Sequence, residues 1–128
     1  IPADAVAASS VSVEAATLDE YCRLHGITGI DFMKIDVEGA ELMVLQGATN
    51  VLGGSRVGVI QLELNDALTK YGIRRSDVVQ LLDGYGYRLY TYDCAKNELR
   101  RIQEGMNTPQ NVYAISDVDL VRSRIDTV

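Results

Sequence analysis

The sequence predicts an α/β protein with a mostly parallel sheet, closed by an antiparallel C-terminal strand and hairpin. Three observations carry this expectation. Short apolar runs at 30–37 and 57–64 are each followed by residues at helical spacing. Strands that alternate with helices imply right-handed crossovers between parallel strands. Past residue 86 the pattern changes to polar–apolar alternation interrupted by a turn, which is a hairpin signature.

Residues 1–10 are rich in Ala and Ser, have no period, and read as a poorly ordered lead-in. Val11, Val13 and Ala15 then alternate with Ser12 and Glu14, the pattern of a short strand. Thr17 and Glu20 fit a capping box, with the Thr17 hydroxyl on the Glu20 amide and the Glu20 side chain reaching back. Leu18, Tyr21, Cys22 and His25 follow at helical spacing, and Gly26 suits a left-handed cap.

The run 30–37 is bounded by Gly29 and Gly39 and reads as a strand buried on both faces. A single helix is expected over 38–52, with Leu42, Leu45, Ala48 and Leu52 on one face and Gly53-Gly54 as its stop. The run 57–64 is a second buried strand. Ser76 or Asp77 opens another helix, with Val78, Leu81, Leu82 and Tyr85 along its apolar stripe; Gly84 and Gly86 break it. Residues 87–92 and 98–102 form the hairpin around a turn at 93–97. Pro109 precedes a last strand at 111–116, and 118–124 closes the chain as a short helix.

The 128 residues fit one domain with a sizeable core. The net charge is -6 and no basic run occurs, which argues against a nucleic-acid surface. The pairs Arg74-Arg75 and Arg100-Arg101 read as solvated surface charge. No apolar stretch approaches the roughly 20 residues that span a bilayer. Cys22 and Cys94 form no CxxC pair and His25 is the one histidine, so a thiolate–imidazole zinc site is not expected. Free cysteines suit a reducing cytoplasm. There is no signal peptide, and the chain opens at Ile1 instead of Met, which fits removal of an upstream segment.

Ligands of open α/β sheets bind beyond the carboxyl ends of the strands. The first buried run ends in Lys34, Asp36, Glu38 and Gly39, the second in Glu63, Asn65 and Asp66. Alternation puts Lys34 and Asp36 on one face, and likewise Glu63 and Asn65. Such carboxylates can act as a general base, accept hydroxyls, or ligate a hard divalent cation. A purely structural reading also stands, in which Glu38 and Glu41 stabilise a helix N-terminus and Gly39 serves a tight turn. Lys34 inside a buried strand needs a partner or an escape to water, and Asp36 is its neighbour on the same face. Tyr71, Tyr85, Tyr87, Tyr90 and Tyr92 have the spacing of core and edge residues, and equally of a sugar or aromatic pocket.

The run Asp31-Phe32-Met33-Lys34-Ile35-Asp36-Val37-Glu38-Gly39-Ala40-Glu41, followed by Val44-Leu45-Gln46-Gly47-Ala48, resembles the signature of the FkbM methyltransferases. Thr17-Leu18-Asp19, Glu63 and the last strand with Asn111 fall where that family has similar features. The resemblance implies a partial Rossmann-like class I methyltransferase fold with an antiparallel seventh strand. It implies S-adenosylmethionine as cofactor and methyl transfer to a hydroxyl oxygen of a small molecule or sugar. Carried over, Asp36 and Glu63 are the catalytic residues, Lys34 and Glu38 support them, and Asp36, Glu63 and Asn65 are the ligands if a divalent cation takes part.

The departure lies in the cofactor loop. The family opens with a strand, a Gly-rich turn and a helix, whereas Gly53-Gly54 and Gly84-Tyr85-Gly86 follow helices. The chain therefore reads as the C-terminal half of the domain. One edge of strand 30–37 is then expected to lack its neighbour, which predicts a homodimer through that edge or its cover by residues 11–15. The alternative function is a catalytically inactive half-fold acting as a structural or oligomerising module. A metal-dependent hydrolase using Asp36 and Glu63 is a third reading.

Overall fold

The computed structural model describes residues 9–103 and 105–126. Along that span lie α1 (Leu18–Leu24), β1 (Ile30–Ile35), α2 (Glu41–Gln46), α3 (Thr49–Gly53) and β2 (Val57–Glu63). A 3-10 helix (Asp66–Tyr71), α4 (Arg75–Gly84), β3 (Arg88–Asp93), β4 (Glu98–Arg101), β5 (Asn111–Ile115) and α5 (Val118–Ile125) follow. The lead-in expected at 1–10 falls outside the described residues except for Ser9 and Ser10, which carry no regular structure. No described helix is long and apolar enough to cross a membrane.

The five strands form one mixed sheet in the order β1-β2-β5-β3-β4. Only β1 and β2 pair in parallel; the β2–β5, β5–β3 and β3–β4 pairings are antiparallel. The expectation of a mostly parallel sheet is corrected by this pairing. β1, β2 and β3 do run in one direction, but β5 enters between β2 and β3 from the opposite end. The physical reason is the hairpin. β4 returns the chain towards the start of β3, and β5 then begins at the carboxyl end of β2, where Asn111 faces Glu63. The antiparallel last strand and the hairpin stand as expected.

The helix expected over 38–52 is two helices, broken at Gly47 and Ala48. The cause is α1. A Cβ on Gly47 would sit 3.2 Å from the Thr17 Cβ, so α1 packs against the break. The Asp19 amide donates to the Gly47 carbonyl (3.0 Å). The Asp19 carboxylate then caps α3 from 30 residues away in sequence. It accepts from the Thr49 hydroxyl (3.0 Å), the Asn50 amide (2.9 Å) and the Val51 amide (3.2 Å). Thr17 caps α1 through the Glu20 amide as expected (3.1 Å). The reciprocal arm of that box is not among the described hydrogen bonds.

The strand expected at 11–15 is also corrected. Residues 9–17 have no regular structure, and Val11 and Val13 lie in solvent. Two exposed valines bury too little apolar surface to hold a strand against an edge.

The core lies on the face of the sheet covered by α2, α3 and α4. Ile35, Leu45, Leu52, Ile60, Leu62, Val78, Leu82 and Val112 are buried together there. Tyr87 lies within it and donates its hydroxyl to the Val57 carbonyl (2.9 Å). On the other face α5 lays Val118, Val121 and Ile125 over Tyr90, Leu99 and Ile115. That cover does not extend to β1, so the expectation of a strand buried on both faces fails: Phe32 is 54% exposed. β1 is the sheet edge, and its outer side pairs with no other described strand.

Candidate functional site

The parallel register of β1 and β2 assembles the site. Lys34 pairs with Gln61 and Ile35 with Leu62, so one residue further Asp36 comes alongside Glu63. Glu63 in turn faces Asn111 across β5. β3 pairs Tyr90 with Tyr113, and two residues on, Tyr92 aligns with Asn111. Side chains in register share a face. The carboxyl end of the sheet thus carries Asp36, Glu63, Asn111 and Tyr92 in one row on the face that α5 only partly covers. Below it runs a second row of Lys34, Gln61 and Tyr113. Tyr92 and Tyr113 meet edge to face with ring centroids 6.4 Å apart.

Lys34 and Asp36 are neighbours, as expected, with Nζ 3.8 Å from Oδ2. Their side chains are 59% and 44% exposed. The pair therefore needs no buried compensation, and at that exposure it contributes about 0–1 kcal/mol. Its charges are free to meet a ligand.

The turn after β1 is unusually constrained. Glu38 adopts φ 52° and Gly39 φ 107°. A left-handed non-glycine residue is costly and persists where its surroundings over-determine it. Here they do. A Cβ at position 39 would lie 2.2 Å from the Ala67 carbonyl oxygen, so the turn is pressed onto the 3-10 helix and admits glycine alone. Glu41 clasps it from inside: its Oε1 accepts from the Gly39 amide (3.3 Å) and the residue is 1% exposed. Glu41 Oε2 has no partner among the described residues. Glu41 does stand in the first turn of α2, as the helix-start reading has it, but that reading did not include its burial. The available signal was an acid two residues after the glycine of a strand-to-helix turn.

The β2 end is held by Asn65. Its Nδ2 donates to Glu63 Oε1 (3.2 Å), while its Oδ1 accepts from the Ala67 amide (2.8 Å) and caps the 3-10 helix. Both ends of that amide are engaged within the fold. No described group of three or more His, Cys, Asp or Glu side chains is placed to hold a metal.

Of the residues singled out from sequence, the fold brings together Asp36, Glu63, Asn65 and Lys34, and it sets Glu38 exposed in the adjoining turn. Gln61 and Tyr113 were missed because their placement depends on cross-strand register. Among the tyrosines, Tyr87 and Tyr90 are core, Tyr85 packs against the core, and Tyr71 and Tyr92 are exposed.

The Methyltransferase FkbM domain family model matches residues 4–89, about two thirds of the chain. The chain belongs to the FkbM methyltransferase family. No curated protein and no solved structure matches it. The FkbM match takes in β1, the constrained turn, β2 and α4, and ends within β3. Within this family member the row Asp36–Glu63 falls inside the matched span, whereas Asn111 and Tyr113 lie beyond it.

Proposed function

We propose that the carboxyl ends of β1 and β2 form the acceptor side of an S-adenosylmethionine-dependent methyltransferase of Rossmann-like descent, acting on a hydroxyl oxygen of a small molecule or sugar. One observation carries the reading: the parallel register that sets Asp36 beside Glu63, next to the strained Glu38–Gly39 turn, in a chain of a methyltransferase family. Asp36, exposed and flanked by Lys34, takes the hydroxyl proton as general base. Glu63, oriented by Asn65, accepts a second hydroxyl and fixes the acceptor's direction. Tyr92 and Tyr113 offer the aromatic surface that polyhydroxylated rings stack on.

S-adenosylmethionine would supply an activated methyl group. The described glycines do not form a nucleoside cradle: the space at Gly39 is filled by the Ala67 carbonyl, and Gly53, Gly54, Gly84 and Gly86 lie at the ends of helices. The described residues therefore account for the acceptor side alone. A divalent cation between Asp36 and Glu63, with Asn65 as third ligand, would require the Asn65 amide to leave the Ala67 cap. A cytoplasmic setting accords with the two free cysteines.

A second reading rests on the open edge of β1 and the exposed Phe32 beside it. Unpaired apolar edges recruit strands, which favours a homodimer and a structural or oligomerising role. Titration calorimetry separates the two. Heat of binding with S-adenosylmethionine at micromolar affinity, and S-adenosylhomocysteine release with a polyol acceptor that falls at least about 100-fold in Asp36→Asn, support the enzyme. Absence of both, with a dimeric mass by light scattering, supports the module. Wild-type turnover in Asp36→Asn would remove the base role.

A further inference from the structure

The buried face of α2 carries an acid. Glu41 and Leu45 stand one helical turn apart on the same face. Both are buried, at 1% and 0% exposed, and Leu45 belongs to the core. An apolar side chain is the ordinary occupant of such a position. Glu41 brings a carboxyl group there. Its Oε1 accepts from the Gly39 amide at 3.3 Å. Its Oε2 is shielded from solvent and has no partner among the described residues.

That arrangement is poor for stability. A polar atom out of water without a partner is costly. Apolar side chains of similar volume often do as well or better in place of buried ionic groups. One hydrogen bond at the long end of the usual range offsets little. A residue that works against the fold, beside a strained turn, points to a role in function.

The turn supplies that role. Two described hydrogen bonds hold it: the Ala40 amide donates to the Val37 carbonyl (3.4 Å), and the Gly39 amide donates to Glu41. The Gly39 amide belongs to the peptide between Glu38 and Gly39, so the Glu41 carboxyl group sets which way that peptide faces. Rotation of that peptide changes only the Glu38 ψ and the Gly39 φ, and glycine accepts φ of either sign. Asp36 and Glu38 are exposed at this end of β1, so their placement follows the backbone of the turn.

We infer that Glu41 is a positioning residue for the methyl acceptor. Anchored through α2 to the core, its carboxyl group holds the Glu38–Gly39 peptide in the orientation that keeps Asp36 alongside Glu63. This role rests on the reading of that row as the acceptor site. Glu41 itself is closed off from solvent and touches no acceptor.

Two variants separate position from stability. Glu41→Gln keeps an oxygen for the Gly39 amide, and Glu41→Leu keeps the volume without it. Glu41→Leu exchanges one stranded atom, Oε2, for another, the Gly39 amide, so its melting temperature should stay close to that of wild type. Hydrogen exchange at the Gly39 amide is followed by NMR on the full chain. It should be slow in wild type and Glu41→Gln and about tenfold faster in Glu41→Leu, the scale of one hydrogen bond. Release of S-adenosylhomocysteine is measured with S-adenosylmethionine and glycerol as acceptor. In Glu41→Leu kcat should fall about 100-fold, the scale of a misplaced reacting group, with KM nearly unchanged. Glu41→Gln should restore most of it.

A merely structural role would lower kcat and melting temperature together. That joint loss, wild-type kcat in Glu41→Leu, or a Glu41→Gln as impaired as Glu41→Leu overturns the assignment. Absence of turnover in wild type removes the methyl-transfer reading, and the exchange pattern alone then decides whether Glu41 holds the turn: equal rates at Gly39 in all three proteins overturn that as well.

Discussion

Replacing Asp19 by alanine removes three acceptor bonds from the first turn of α3 in one step. The donors differ in what they can do next. Thr49 and Asn50 are exposed and can turn to water, whereas Val51 is buried and its amide is left without a partner. Loss of an N-cap to alanine costs about 0.5–2 kcal/mol, and a stranded buried donor places this case in the upper part of that range. A loss of about 1–2 kcal/mol lowers the melting temperature of a domain this size by about 4–8 °C. Asp19→Asn keeps one acceptor oxygen and should fall between the two.

The cap also has a pH signature. Partial burial pushes the Asp19 carboxyl up, but the bonds from Asn50, Val51 and Thr49 outweigh it and leave the group below its ordinary value of 3.8. A carboxylate lowered in the folded state stabilises the protein above its unfolded pKa. That stabilisation is lost as pH falls through the folded value. The gap between wild type and Asp19→Ala should therefore be full at neutral pH and shrink below about pH 4. Urea denaturation followed by circular dichroism measures both. A gap under about 0.3 kcal/mol at neutral pH, too small for any cap, would refute the reasoning, and so would a gap that ignores acid.

Other consequences follow from single contacts. Gly39→Ala forces a Cβ against the Ala67 carbonyl at φ 107° and should cost at least about 2 kcal/mol, read as a lowered urea midpoint or loss of soluble protein. Tyr87→Phe strands the Val57 carbonyl and should cost about 1–3 kcal/mol. Burial raises the Tyr87 pKa above 10.0 despite its hydrogen bonds, so its contribution is complete below the unfolded value and declines as pH rises through the folded one. Wild type should show that alkaline loss and Tyr87→Phe should not. Of the two free cysteines, Cys94 is exposed and Cys22 buried; a thiol reagent should label Cys94 in the native protein and reach Cys22 only on unfolding.

What the sequence by itself determined is local. The apolar runs specified β1 and β2, Gly84 and Gly86 ended α4, and the turn at 93–97 made the hairpin, because each depends on neighbours a few residues away. Asp36 and Glu63 were legible as strand-end acids for the same reason. The rest waited on contacts between distant segments. Periodicity cannot tell whether a strand is covered, so Phe32 and Lys34 read as buried when α5 stops short of them. Helical spacing through Gly47 concealed a break imposed by Thr17 and Asp19. The direction of pairing was set by where β5 enters the sheet, between β2 and β3 with Asn111 opposite Glu63, and no local pattern carries that.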